Sequence, residues 1–180
     1  DRRKWAERLG LGERELISLV FDSEHSMRAT LGEIPEEEMW RQLGLRLGLQ
    51  AEELAEFRRD FWAGDRLEER LVGFLKGLRP RYKTAILSNA WSDTRKAFIE
   101  DFALDRTVDE LIISAEEGVA KPDPRIFRIA VERLGVSLGE TVFVDDILTN
   151  VESAQTLGMY GIHFRNTAQA IADVRKCLGS

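Results

Sequence analysis

Three short stretches of this chain hold side chains that could do chemistry together. The most informative is Asp145-Asp146, which ends the apolar run Thr141-Val142-Phe143-Val144. Two adjacent carboxylates at the end of a buried strand repel each other unless a cation lies between them. A lysine or a divalent metal meets that need, and Mg²⁺ is usually held by one or two carboxylates plus waters and substrate oxygens. The bland alternative is that one Asp caps the next helix and the other is solvated. The second stretch is Ser88-Asn89, after Thr84-Ala85-Ile86-Leu87. A hydroxyl and the backbone N–H groups after it can hold an anionic oxygen, although a plain turn uses the same residues. The third is Lys121-Pro122-Asp123-Pro124, where two prolines stiffen the backbone around a lysine. An ammonium held there can neutralise a phosphoryl oxygen or a carboxylate; alone, a solvated surface lysine is the simpler reading.

The elements that must position these residues change character near residue 65. Residues 1–65 read as helical throughout. Leu16, Leu19 and Val20 share a helix face, Gly32-Glu33-Ile34-Pro35 breaks the run, and Pro35 opens a helix through Trp40. A further helix starts at Gln50-Ala51-Glu52-Glu53 and ends near Gly64. From 66 to 180, helices alternate with short apolar runs. Leu67 to Leu78 reads as a helix stopped by Pro80, and others are expected near Thr94–Phe98, Pro124–Leu134 and Val151–Leu157. Thr84–Leu87, Leu111–Ile113, Thr141–Val144 and, more weakly, Met159–Phe164 read as strands. Apolar strands separated by helices mean an α/β fold, a Rossmann-like parallel sheet with helices on both faces. Such sheets carry their chemistry at the carboxyl ends of the strands, where all three stretches fall.

Strand–Ser-Asn, Lys-Pro before a helix, and strand–Asp-Asp, in that order, are more specific together than singly. The arrangement resembles the haloacid dehalogenase-like hydrolases, in the subfamily with a small helical cap. The resemblance rests on Ile86-Leu87-Ser88-Asn89, on Gly118 through Pro124, and on Val142 through Asn150 with its continuation to Met159. Gly32-Glu33-Ile34 before Trp40 is similar to that group's cap, so residues 1–65 are expected to be the cap and 66–180 the hydrolase core. The resemblance implies phosphoryl transfer through an aspartyl-phosphate with Mg²⁺ as cofactor. It implies that Ser88 and the Asn89 backbone hold the phosphoryl group and that Lys121 balances charge on the nucleophile and phosphoryl oxygens. It further implies that Asp146 binds the metal and that Asp145 supports it or pairs with Lys121. A non-catalytic member of the fold is the main alternative. A dehalogenase, which needs no metal, is disfavoured by Asp145-Asp146.

The family's first motif, an apolar strand ending in Asp-x-Asp with the nucleophile at its first position, is absent from this sequence. Leu19-Val20-Phe21-Asp22 is an apolar run ending in an acid, but its helical spacing and the Glu24 that follows make Asp22 a poor candidate. The family places the missing strand in the middle of the sheet, between those ending in Ser88 and Asp145. The expectation is therefore roughly 10–20 further N-terminal residues carrying it.

Bulk properties bound the rest. A net charge of −6 argues against general nucleic-acid binding, while leaving room for a small phosphorylated substrate in a locally positive pocket. The single cysteine, Cys177, forbids an internal disulfide, and no apolar run suits a membrane span, so a cytoplasmic, non-membrane protein is expected. His25, His163 and Cys177 fit no nucleophile–base pattern. Trp40 and Trp62 read as core or as cap residues near substrate, and Trp91 as better placed to reach the cleft.

Overall fold

The computed structural model describes residues 1–79 and 81–179, so the Pro80 helix stop lies outside the described residues. Five helices come first: α1 (Arg2–Leu9), α2 (Glu13–Phe21), α3 (Glu24–Thr30), α4 (Glu36–Leu47) and α5 (Ala51–Trp62). Pro35 precedes α4 in extended conformation and three glutamates fill the first turn, where the helix dipole favours negative charge. Trp5, Leu16, Val20, Met39, Trp40, Phe57 and Phe61 bury their side chains together at the centre of this bundle. Each such burial is worth about 1.5–3 kcal/mol against leaving the side chain in water.

The second half holds α6 (Glu69–Leu78), β1 (Ala85–Ser88), α7 (Thr94–Glu100), β2 (Glu110–Ile113) and α8 (Ser114–Glu117). Then come α9 (Pro124–Leu134), β3 (Val142–Asp145), α10 (Leu148–Thr156), β4 (Tyr160–His163) and α11 (Thr167–Leu178). All strand pairs are parallel, and the register sends neighbouring residues to opposite faces. Ile86 and Leu111 join Val72 and Leu75 of α6 and Phe98 of α7 on one side. Leu87, Ile112 and Phe143 join Ile126 and Phe127 of α9 and Ala154 of α10 on the other. This is the α/β architecture with helices on both faces.

The sheet is interrupted between the strands that end in Ser88 and Asp145, where the sequence lacks the expected strand. β1 pairs with β2 and β3 with β4, but β1 and β3 do not pair with each other. Two two-stranded half-sheets therefore stand on either side of that gap. All four residues of β1 and three of the four in β3 are only partly buried, whereas Leu111, Ile112 and Ile113 of β2 are buried. β2 likewise has a single paired neighbour, so the lower burial of β1 and β3 means that their unpaired edges are the less covered ones.

The helical bundle docks on the core through a close backbone approach and a buried carboxylate. Gly32 has φ +69° and lies so close to the Ala115 carbonyl oxygen that a Cβ there would collide with it. Glu36, at the start of α4, is buried; its carboxylate accepts from Trp40 Nε1 (2.9 Å), the Arg58 guanidinium (2.7 Å) and the Asp93 amide (3.2 Å). One carboxylate thus ties α4 and α5 to the loop that follows β1.

Candidate active site

Ser88 and Asp145 are the last residues of β1 and β3, and Asn89 and Asp146 follow them. Lys121 joins the two strand ends. Its Nζ donates to the Leu87 carbonyl (2.8 Å) and to Asp145 Oδ2 (2.7 Å), with both side chains nearly buried at 10% and 5% exposure. An ammonium has three N–H donors, so one is left after these two bonds. The lysine backbone is fixed as well. Asn89 Nδ2 donates to the Lys121 carbonyl and Asn89 Oδ1 accepts from the Lys121 amide, both at 2.8 Å. Downstream, the Asp123 carboxylate accepts the Arg125 amide at 2.9 Å and Pro124 opens α9, which anchors the far end of the segment.

Asp145 is fully engaged. Its Oδ1 accepts from the Ile147 amide (2.8 Å) and from Asn150 Nδ2 (3.0 Å), while Oδ2 takes Lys121. Burial by itself pushes this carboxyl up, but the Lys121 and Ile147 hydrogen bonds, the lysine charge and Asn150 outweigh it and hold the group below its ordinary value. Asp146 is the opposite case: exposed, with no hydrogen bond to its carboxylate among the described residues. The Ser88 hydroxyl is likewise free of protein partners among them. The structure thus brings Ser88, Asn89, Lys121, Asp145 and Asp146 together at one end of the two half-sheets.

Trp91 falls differently from its sequence reading, while Trp40 and Asp22 keep theirs. Trp91 does not face the cleft: it is 4% exposed and packs into the helical bundle against Phe21 and Trp40. Trp40 is buried in the bundle core. Asp22 caps the end of α2 and accepts from Ser18 Oγ (2.7 Å), so its run is a helix and no strand. His163, read as structural, sits in register with Asp145, and its Nε2 lies 3.0 Å from the Asp146 carbonyl oxygen. The signal for that placement is the fourth strand itself, whose last residue must flank the end of the third. The side-chain role of Asn89 has no sequence signal, since its partner lies 32 residues away.

As to metal, no group of three or more His, Cys, Asp and Glu side chains is gathered among the described residues. Asp146 alone offers a free, solvent-facing carboxylate at the strand ends. One carboxylate with waters and substrate oxygens is a usual donor set for Mg²⁺, so the residues present fit that ion.

The family model of haloacid dehalogenase-like hydrolases matches residues 1–158. The chain belongs to that family. Among its relatives is a sesquiterpene phosphatase of Aspergillus oryzae, 27% identical over 164 residues, covering 91% of this chain and 84% of that protein. A D-ribitol-5-phosphate phosphatase of Bacteroides thetaiotaomicron is 30% identical over 135 residues, covering 71% and 65%. A solved structure of a family enzyme from the same bacterium, in complex with magnesium and inorganic phosphate, superimposes with a TM-score of 0.74 at 22% identity, covering 92% of this chain and 87% of that one. At that identity the likeness speaks for the fold. Other curated relatives are much longer, and the chain spans only 19% and 9% of two of them. Among the described residues no helix is long and apolar enough to cross a membrane.

Proposed function

We propose that this chain forms most of a Mg²⁺-dependent phosphatase acting on a small phosphorylated metabolite. The observation that carries the reading is the Lys121 ammonium, held between Leu87 and Asp145 beside a free Ser88 hydroxyl and a free Asp146 carboxylate. Phosphoryl transfer asks for little beyond positioning and positive charge around the equatorial oxygens. Ser88 Oγ and the Asn89 amide bind phosphoryl oxygens, the third Lys121 donor meets another, and Asp145 keeps the ammonium aimed. Asp146 holds the metal, and Asp145 serves as partner of Lys121. Mg²⁺, when bound there, supplies Lewis-acid stabilisation of the transferring group. Residues 1–65 act as a cap that excludes water, and 66–180 as the catalytic core. The two phosphatases among the relatives agree with this reading.

The nucleophile comes from a strand that fills the gap between β1 and β3. The open, half-buried edges of both strands support this, because a parallel sheet leaves such edges unpaired only at its margins. Its carboxylate would enter next to Lys121, the residue that spans the two half-sheets.

The test is release of phosphate from p-nitrophenyl phosphate by the full-length protein, with Mg²⁺ and with excess chelator. Asp146→Asn is expected to abolish Mg²⁺-dependent turnover and to leave the melting temperature within about 1–2 °C, since an exposed, unpartnered carboxylate contributes within about 0.5 kcal/mol. Full turnover in that variant overturns the metal assignment. One observation favours a second reading, a non-catalytic phosphate-binding protein: among the described residues at the cluster, Asp145 is committed to Lys121 and Asp146 is assigned to the metal, so neither carboxylate is left for nucleophilic attack. Phosphate binding without turnover in the full-length protein would establish it.

A further inference from the structure

The Asp146 carboxylate has no hydrogen bond among the described residues, so its aim depends on its backbone. Both peptide planes that flank its Cα are held. In the plane before it, the Asp145 carbonyl accepts from the Phe164 amide at 2.8 Å. In the plane after it, the Ile147 amide donates to Asp145 Oδ1 at 2.8 Å. The carbonyl of that second plane faces His163 Nε2 at 3.0 Å. A carbonyl oxygen only accepts, so Nε2 carries the hydrogen and donates. Peptide units are planar, and fixing both planes fixes the direction of the Asp146 Cα–Cβ bond. Only the two side-chain torsions stay free.

The His163 bond differs in kind from the other two. The Phe164 bond continues the pairing of β3 with β4, and the Ile147 bond belongs to the turn that leads into α10. Strand pairing and helix capping ask for both and do not ask for the third. His163 is exposed, so its ring gains little from burial where it stands. Its own backbone is anchored instead. Gln169 Nε2 donates to the His163 carbonyl at 3.2 Å, and Gln169 Oε1 accepts from the Arg165 amide at 3.0 Å, which ties the end of β4 to α11. The ring is thus presented from a held strand end to the carbonyl of the residue with the free carboxylate.

We infer that His163 is a positioning residue for the metal ligand: by holding the Asp146 carbonyl, it fixes the backbone from which the Asp146 carboxylate meets Mg²⁺. The inference rests on the reading of Asp146 as metal ligand and adds a residue to that site. Groups that orient a metal ligand typically change metal affinity about 10–100-fold. His163 acts through the peptide and touches neither carboxylate oxygen, so the lower end applies, about tenfold. At saturating Mg²⁺ the carboxylate is ordered by the ion it holds, so loss of the bond shows in affinity and leaves kcat nearly unchanged.

The experiment measures Mg²⁺ affinity on the full-length protein without substrate, from the rise in melting temperature as Mg²⁺ is added. His163→Phe keeps a flat ring and loses the donor. It is expected to weaken Mg²⁺ about tenfold while the metal-free melting temperature stays within about 2 °C. His163→Gln carries an amide donor the same number of bonds from the backbone and is expected to return the affinity to within about threefold of the parent. His163→Ala gives a second loss of the donor, in case the Phe ring disturbs the strand end. With p-nitrophenyl phosphate, the Mg²⁺ concentration for half-maximal rate should rise by the same factor in the Phe and Ala variants, with kcat at saturating Mg²⁺ within about twofold. Parent-like Mg²⁺ affinity in both variants, where Asp146→Asn abolishes binding, overturns the role of His163 alone. So does a Gln variant as weak as the Phe one, or a kcat that stays low at saturating Mg²⁺. Absent Mg²⁺ binding in the parent, or binding that Asp146→Asn leaves intact, overturns the metal assignment and this inference with it.

Discussion

Replacing Lys121 with Met tests the joint between the half-sheets most directly. The ammonium now satisfies the Leu87 carbonyl and Asp145 Oδ2 in a nearly buried setting. Breaking a buried ion pair from one side costs about 3–5 kcal/mol, because the remaining charge stays uncompensated. Asp145 keeps its Ile147 and Asn150 donors, so the lower end applies, about 3 kcal/mol or a fall of about 6–12 °C in melting temperature for a chain of this size. The loss is readable by urea unfolding followed through tryptophan emission, since Trp5, Trp40 and Trp91 are buried. The pH dependence has a definite sign. In the parent, the Asp145 pKa is depressed, so its stabilisation is present above the unfolded value of about 3.9 and is lost as pH falls towards the folded value. In Lys121→Met the lysine no longer offsets burial, the carboxyl moves up, and its protonation relieves the buried charge. The deficit of the variant is therefore largest near neutrality and shrinks as pH falls into the mildly acidic range. Adding Asp145→Asn to Lys121→Met removes both charges and should recover stability, with a coupling above about 1 kcal/mol in the double-mutant cycle. Additive losses, or a deficit constant between neutrality and mild acid, would refute this account of the pair.

Other perturbations follow from the same geometry. Gly32→Ala meets the Ala115 carbonyl at φ +69°, while Gly135→Ala has φ +67° with open space around it. Gly135→Ala should cost about 1 kcal/mol from the left-handed backbone alone, and Gly32→Ala clearly more, on the order of 3 kcal/mol, as measured by thermal unfolding; equal costs would deny the close approach of α3 to α8. Asn89→Ala removes both bonds that fix the Lys121 peptide and should lower kcat about tenfold or more with only about 1–2 kcal/mol of lost stability; unchanged turnover would show that the lysine needs no such clamp. Glu36→Gln should lower stability by about 1–3 kcal/mol, since Arg58 loses a charged partner at a buried site; no change would mean that the contact between bundle and loop is carried by packing alone.

The features legible in sequence are those with local signals. α9 runs from Pro124 to Leu134 as expected, because its cap Asp123 and its terminator Gly135 adjoin it. Strand ends at Ser88 and Asp145 are legible because short apolar runs stop there. α10 begins at Leu148, three residues before the expected Val151, since the Asp145 carboxylate already receives the Ile147 amide and the apolar pattern carries no trace of that bond. α7 continues to Glu100, beyond the expected Phe98. What stays hidden depends on contacts far apart in the chain. The inward turn of Trp91 depends on rings at positions 21, 40 and 62, and the Asn89 clamp on a peptide beyond the second strand. Leu45, of the same type as its neighbours Leu43 and Leu47, is 65% exposed on the outer side of α4. The break between β1 and β3 is foreshadowed only as the place of an absent strand, since apolarity marks a strand without naming its neighbours.

The Lys121–Asp145 pair has a consequence for how such a chain ages in a genome. Apolar residues of similar volume replace buried ion pairs at little cost and sometimes with a gain in stability. Folding alone therefore gives little reason to keep this lysine and this aspartate facing each other. In a lineage released from phosphate chemistry, paired drift to hydrocarbon at 121 and 145 would meet little resistance, provided both positions changed together. A first step at either position alone leaves a buried charge without its partner, and that intermediate is what makes the pair slow to disappear.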